Sequence, residues 1–188
     1  MDIVIEDLCK SYRGHQVLNH FSCTLKEGKI SCLMGKSGIG KTTLLSVLMK
    51  LEKADSGTIS GTEGKKISAV FQENRLLENL DAVENIRVMT GKTSTEICGL
   101  LEELELPVFE KEPVSEYSGG MKRRVAIARA LLAEYDILIM DEPFQGLDAE
   151  TKNKAAAVIR KKTAGKTVIF VTHDESECDF FQAEKIKL

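Results

Sequence analysis

The segment Gly35–Thr42, GKSGIGKT, constrains the fold of this chain more than any other feature of the sequence. It fits the pattern G-x-x-x-x-G-K-[ST], in which glycines let the backbone turn its N–H groups inward as a nest for a phosphate. The strand-like run KISCLM precedes the loop. Four leucines after the loop recur at helical spacing: Leu44, Leu45, Leu48 and Leu51. A strand, a glycine turn and a helix in this order predict a nucleotide-phosphate site.

The side chains of this loop add specific contacts to the backbone nest. Lys41 is expected to reach the β- and γ-phosphate oxygens, and the Thr42 hydroxyl to ligate Mg²⁺. The predicted nucleotide-binding residues of the loop are Gly35, Lys36, Ser37, Gly38, Ile39, Gly40, Lys41, Thr42 and Thr43. The alternative is a glycine-rich turn without a ligand, which the position between a strand and a helix disfavours.

A second motif, DILIMDEP, places two acidic residues at the end of a short apolar strand. The carboxyl ends of strands in an α/β sheet face the ligand crevice, so Asp141 can hold Mg²⁺ or one of its waters. Glu142 can accept a proton from an attacking water. Taken alone, such a strand end is more often an exit turn. Together with the phosphate loop, it predicts a metal ligand and a general base.

The stretch SEYSGGMKRR has the chemistry of a second anion-binding helix start, because free N–H groups and the helix dipole point outward there. Its basic run Lys122–Arg124 and the run Arg160–Lys162 are interpreted as solvated helix faces rather than nucleic-acid contacts. The net charge of -3 and the isoelectric point near 5.7 also argue against a nucleic-acid partner.

The pattern of elements along the 188 residues favours one α/β domain. The opening third is strand-like, residues from Glu73 to about Glu116 are helical, and strands alternate with helices afterwards. The acidic N-terminus does not resemble a signal peptide, and no apolar run could span a bilayer. The five cysteines are odd in number and form no C-x-x-C pair, which favours reduced thiols in a cytosolic protein.

With the signature YSGGMKRRVAIARALL upstream of the aspartate strand, the chain resembles the ATP-binding cassette (ABC) ATPases over essentially its whole length. The resemblance implies that Gln72 senses Mg²⁺ and the γ-phosphate and that His173 contacts the γ-phosphate. It further implies that Tyr12 stacks on adenine and that Asp148 lies in a loop crossing a dimer seam. Ser118, Gly119 and Gly120 would then face the ATP held by a second copy of the chain. At two positions this chain differs from the residue that the family usually has: Met121 replaces Gln or Glu, and Gly146 replaces Ala.

The resemblance implies a P-loop NTPase core with a mainly parallel sheet, an N-terminal antiparallel β subdomain and an inserted helical subdomain. The core is expected over residues 1–72 and 119–188, and the helical subdomain over about 73–118. The catalytic residues would be Glu142, His173, Gln72 and Lys41, and the Mg²⁺ ligands Thr42, Gln72 and Asp141.

The function implied is Mg²⁺-dependent ATP hydrolysis that powers a membrane transporter. The chain would form an ATP-sandwich homodimer and bind a separate permease at the cytoplasmic face of the cell membrane. The segment VFQENRLLENLDAVENI is most similar to ATPases of nitrate, sulfonate and taurine importers. A soluble cassette ATPase that remodels an assembly, such as iron–sulfur cluster machinery, is the alternative, and a P-loop kinase is a more distant one.

Overall fold

The computed structural model describes residues 1–36, 38–107 and 112–188 of the chain. Its contacts divide the chain into two compact units. The first unit comprises Met1–Ile67, Asp136–Asp141 and Gly165–Leu188, and the second Ser68–Tyr135 and Glu142–Ala164. The subdomain boundaries expected near residues 73 and 118 stay a prediction, and the loop residue Ser37 lies outside the described residues.

The first unit contains a parallel sheet of strands β3 (Ile30–Met34), β6 (Ile137–Asp141), β7 (Thr167–Val171) and β8 (Glu184–Lys187). Their order in the sheet is β6-β7-β3-β8. Every residue of β6 and β7 is buried, as expected for continuous apolar strands covered on both faces. Because β6 and β7 run parallel in register from Ile137 opposite Thr167 to Asp141 opposite Val171, their carboxyl ends lie at one edge.

A separate antiparallel sheet in the same unit consists of strands β1 (Ile3–Tyr12), β2 (His15–Leu25) and β4 (Ser56–Ser60). Their order in the sheet is β2-β1-β4. Strand β5 (Ile67–Val70) begins at the last residue of the first unit and continues into the second. The predicted α/β class, with a parallel sheet and an antiparallel one, is therefore confirmed.

Two helices complete the first unit: α1 (Lys41–Leu48) and α6 (Glu175–Phe181). The leucines Leu44, Leu45 and Leu48 of α1 are buried, which confirms the helical periodicity after the phosphate loop. Leu51 is an exception, because the helix ends before it and its side chain is 57% exposed. Lys50, with φ of 58°, turns the chain away from the helix before Leu51 is reached.

The second unit is mainly helical. Its elements are α2 (Ala82–Thr90), α3 (Ser94–Glu103), a 3₁₀ turn (Val114–Glu116), α4 (Gly119–Leu132) and α5 (Ala149–Lys162). Each α-helix begins at a residue whose side chain accepts a hydrogen bond from the first turn: Asp81, Thr93, Ser118 and Asp148. Such N-caps satisfy backbone donors that have no partner within the helix, so these starts are encoded locally.

The cysteines differ from the expectation of reduced thiols. Cys32 on β3 and Cys178 on α6 form a disulfide with their Cα atoms 6.1 Å apart, whereas Cys9, Cys23 and Cys98 are free. The expectation is therefore wrong for this pair. The two cysteines are separated by 146 positions, and only the packing of α6 near β3 brings them together.

In the part of the chain that the structure describes, no helix is both long enough and apolar enough to cross a membrane.

Candidate functional site

The phosphate loop connects β3 to α1, as the sequence predicts. Gly40 occupies the N-cap of α1 with φ of 109°, and a Cβ added there would lie 2.9 Å from the carbonyl oxygen of Val17. Any other residue would be strained by both the backbone angle and the contact. Because glycine has no side chain to cap the helix, the N–H groups of the first turn of α1 can serve a ligand.

Lys41 lies within this loop rather than in solvent. Its side chain is buried, and its Nζ donates hydrogen bonds to the carbonyl oxygens of Gly35, at 2.7 Å, and Lys36, at 3.1 Å. Both acceptors are neutral, so these bonds hold the ammonium group in place without neutralising its charge. A buried cation beside free helix N–H groups is a strong electrostatic site for a phosphate.

Thr42 and Asp141 lie in direct contact, although 99 positions separate them in the chain. The Thr42 hydroxyl donates to Oδ2 of Asp141 at 2.8 Å, which joins the first turn of α1 to the end of β6. Asp141 is 5% exposed. A hydroxyl and a carboxylate oxygen at the phosphate loop form a hard donor pair that suits Mg²⁺, which binds few protein ligands and retains water.

Within the described ranges 1–36, 38–107 and 112–188, the His, Cys, Asp and Glu side chains nowhere converge in threes as a metal site.

Glu142 follows Asp141 directly and has an unusual backbone. Its φ is 47°, in the left-handed region that a residue with a Cβ seldom adopts. Such a conformation costs on the order of 1–3 kcal/mol and is concentrated at functional sites. The backbone at Glu142 therefore adopts this conformation at a cost in stability.

Tyr12 and His173, the other predicted site residues of the first unit, are both exposed. The Tyr12 hydroxyl donates a hydrogen bond to the Glu52 carboxylate, and partial burial together with this carboxylate raises the pKa of Tyr12. The ammonium of Lys10 lies 5.4 Å from the centre of the Tyr12 ring. His173 follows β7 at the start of the turn into α6. Their predicted contacts with ATP stay predictions.

The signature segment begins helix α4 in the second unit. Ser118 caps the helix by accepting a hydrogen bond from the backbone N–H of Met121 at 3.2 Å. A Cβ added to Gly120 would lie 3.4 Å from the carbonyl oxygen of Gly146, in close contact, whereas a Cβ added to Gly119 would meet nothing within 4 Å. Packing within the described structure therefore gives no reason for glycine at position 119.

Asp148 caps helix α5, a role that the sequence interpretation did not assign to it. Its Oδ1 accepts from the backbone N–H groups of Glu150 and Thr151, each at 3.0 Å. The hydrogen bonds from the backbone N–H and the hydroxyl of Thr151 are the main reason that the pKa of Asp148 is lowered. The spacing of an aspartate before the helical run carries this signal. A contact of Asp148 across a dimer seam stays a prediction.

Gln72 is exposed, but its backbone is held by an arginine that the sequence interpretation placed in solvent. Arg123 is only 3% exposed and donates to the carbonyl oxygens of Phe71 and Gln72. The interpretation of the run Lys122–Arg124 as a solvated face is therefore wrong for Arg123. Its position on the buried stripe of α4, three and four residues before Ala126 and Ile127, was the available signal.

The phosphate loop, the buried Lys41 and the Thr42–Asp141 pair define the class of this protein as a P-loop nucleotide-binding α/β protein. The chain belongs to the ABC transporter family, whose family model matches residues 18–145.

Two similar proteins extend this result. A sulfate/thiosulfate import ATP-binding protein of Xylella fastidiosa is 34% identical over 94% of this chain and 57% of its own length. An aliphatic sulfonates import ATP-binding protein of Rhodococcus jostii is 38% identical over 88% of this chain and 70% of its own length. The chain thus spans little more than half of the sulfate/thiosulfate relative.

The fold is also similar to a solved structure. The ATP-binding cassette MJ0796, in a dimeric post-hydrolysis state bound to ADP and Pi, matches with a TM-score of 0.87 and 29% identity. The match covers 99% of this chain and 94% of the cassette. The resemblance to ABC ATPases is confirmed, and of the nitrate, sulfonate and taurine importer ATPases to which the sequence was compared, a sulfonate one is among these similar proteins.

Proposed function

We propose that this chain is the ATP-hydrolysing subunit of an ABC importer. The observation that carries the proposal is the phosphate loop, with Lys41 buried inside it and Thr42 bonded to Asp141. The names of the relatives, which are import ATP-binding proteins, support transport over the remodelling of an assembly. No observation favours the alternative in iron–sulfur cluster machinery.

The reaction proposed is in-line attack of water on the γ-phosphate of ATP. Glu142 accepts the proton of the attacking water, and Lys41 and the loop N–H groups bind the phosphates. Gln72 and His173 orient the water and the γ-phosphate, and Tyr12 stacks on adenine. Thr42 and Asp141, with Gln72, would hold Mg²⁺, which when bound neutralises charge on the phosphates.

We also propose that two copies of the chain close over ATP. In this arrangement Ser118, Gly119 and Gly120 of one copy face the γ-phosphate held by the loop of the other. The dimeric state of MJ0796 supports this, and so does the glycine at position 119, which intramolecular packing does not require. The complex would bind a separate permease and so lie at the cytoplasmic face of a membrane.

Gly119→Ala tests the interface directly. The substitution adds a methyl group in open space, so the fold should gain up to about 1 kcal/mol of stability, because alanine favours helices over glycine. The same methyl group would stand where the second copy must approach closely. We therefore expect an unchanged or higher Tm, with ATP hydrolysis lowered about tenfold or more.

The matched control is Gly99→Ala on helix α3, where an added Cβ also meets nothing within 4 Å. It should raise stability in the same way and leave hydrolysis unchanged. Full activity of the Gly119→Ala protein would contradict close approach of a second molecule at this glycine.

A further inference from the structure

Helix α4 holds the segment around Gln72 through a buried arginine. The two terminal nitrogens of Arg123 donate separately, Nη1 to the carbonyl oxygen of Phe71 and Nη2 to that of Gln72, both at 2.6 Å. These two carbonyl groups lie on either side of the Cα atom of Gln72. The planar guanidinium fork therefore fixes the orientation of the backbone from which the Gln72 side chain projects.

A second arginine of the same helix donates hydrogen bonds to the backbone that follows Gln72. Arg129 donates to the carbonyl oxygens of Asn74, at 2.9 Å, and Arg75, at 2.7 Å. The Arg75 guanidinium in turn lies 3.8 Å from the centre of the Phe71 ring. Residues 71–75 follow β5 and form no helix or strand, so these contacts supply order that regular hydrogen bonding does not.

Burial of the charged Arg123 side chain costs free energy unless hydrogen bonds offset it. A buried guanidinium loses its hydration, and charge-assisted bonds to two carbonyls offset this loss only with good geometry. An apolar residue would pack on the buried stripe of α4 but would leave the two carbonyls without these donors. The role of arginine at this position is therefore to hold the backbone at Gln72 in one orientation, which an apolar side chain could not do.

We infer that Arg123 is a positioning residue for Gln72 and couples it to the signature end of helix α4. The first turn of α4 carries Ser118 and Gly119, and Arg123 lies about one turn further along the same helix. A displacement of the helix start by a nucleotide would thus be transmitted to the Gln72 backbone through two short hydrogen bonds. This inference rests on the proposed role of Gln72 in ATP hydrolysis.

A double-mutant cycle tests the inference with the full chain and Mg-ATP. The variants are Arg123→Met, Gln72→Ala and the two combined, with kcat and KM for ATP measured for each. We expect Arg123→Met to lower kcat about tenfold and to change KM less than about threefold, because misplaced groups affect mainly the transition state. In the Gln72→Ala background, Arg123→Met should cost less than about twofold more.

Lys122→Met is the control for the loss of a cationic side chain from the same part of α4. The Lys122 ammonium donates to the Glu78 carboxylate at 2.9 Å, outside the segment 71–75. Its loss should leave kcat within about twofold of wild type, because a partly exposed ion pair contributes little. Arg123→Lys keeps the charge without the fork, so its kcat should lie between those of Arg123→Met and wild type.

Three results would overturn the coupling. Losses of kcat that multiply in the double variant would show that Arg123 acts independently of Gln72. An equal loss of kcat in Lys122→Met would show that loss of any cation from this part of α4 lowers activity. If Arg123→Met does not fold, wild-type kcat in the folded Arg123→Lys protein would show that the fork is unnecessary. By contrast, unchanged kcat in Gln72→Ala alone would overturn the proposed role of Gln72 itself.

Discussion

Glu142→Gln is expected to lower kcat for ATP by about 100-fold or more, because a positioned general base contributes 10²- to 10⁴-fold. The amide has nearly the shape of the carboxylate but cannot accept the proton of the attacking water. Binding of ATP should be retained, since the phosphate loop and Lys41 are unchanged. The measurements are phosphate release under single-turnover conditions and ATP binding at equilibrium.

The position of Glu142 makes the isosteric change informative. Its φ of 47° is a property of the backbone, and glutamine experiences the same strain as glutamate. A loss of activity can therefore be attributed to the carboxylate. Glu150→Gln, on an exposed residue of α5 that pairs with Lys154, is the control and should retain activity. Near-normal phosphate release by Glu142→Gln would show that another group is the base.

Lys41→Ala is expected to weaken ATP binding about 100-fold, the equivalent of about 3 kcal/mol for hydrogen bonds to a charged group. The variant removes the ammonium that the carbonyls of Gly35 and Lys36 hold inside the loop. Hydrolysis should fall with binding, because fewer chains carry ATP and the γ-phosphate loses a stabilising charge. Calorimetric titration with ATP measures the affinity directly.

The control for Lys41→Ala is Lys53→Ala, an exposed lysine of the same unit. It changes the net charge by the same amount and should leave affinity within about twofold of wild type. Unchanged ATP affinity in the Lys41→Ala protein would contradict the assignment of this loop as the phosphate site.

The parts of the molecule that depend on local sequence were predictable. The glycine spacing of the phosphate loop reports a backbone conformation, and Gly40 adopts the positive φ that such a loop needs. The apolar runs of β6 and β7 similarly indicate strands buried on both faces. The proximity of Thr42 to Asp141 follows from these two signals, since the loop and the strand end meet at one edge of an α/β sheet.

The parts of the molecule that depend on the tertiary structure could not be predicted from local sequence. Arg123 belongs to a basic run, and only the helical face on which it lies shows that it is buried. The disulfide between Cys32 and Cys178 depends on the placement of α6 near β3, which no spacing encodes. Leu51 fits the apolar period of α1 but lies beyond the end of the helix. In each case a tertiary contact or a chain reversal overrides the local pattern.

In the proposed arrangement, two copies of the chain complete each other's ATP site. Sedimentation velocity of the Glu142→Gln protein, with and without Mg-ATP, tests this arrangement. We predict a monomer of 20.8 kDa without nucleotide and a species of twice that mass with ATP. Adding Ser118→Arg should abolish the larger species while the monomer still binds ATP. A Glu142→Gln protein that binds ATP but stays monomeric, or a dimer that survives Ser118→Arg, would contradict this arrangement.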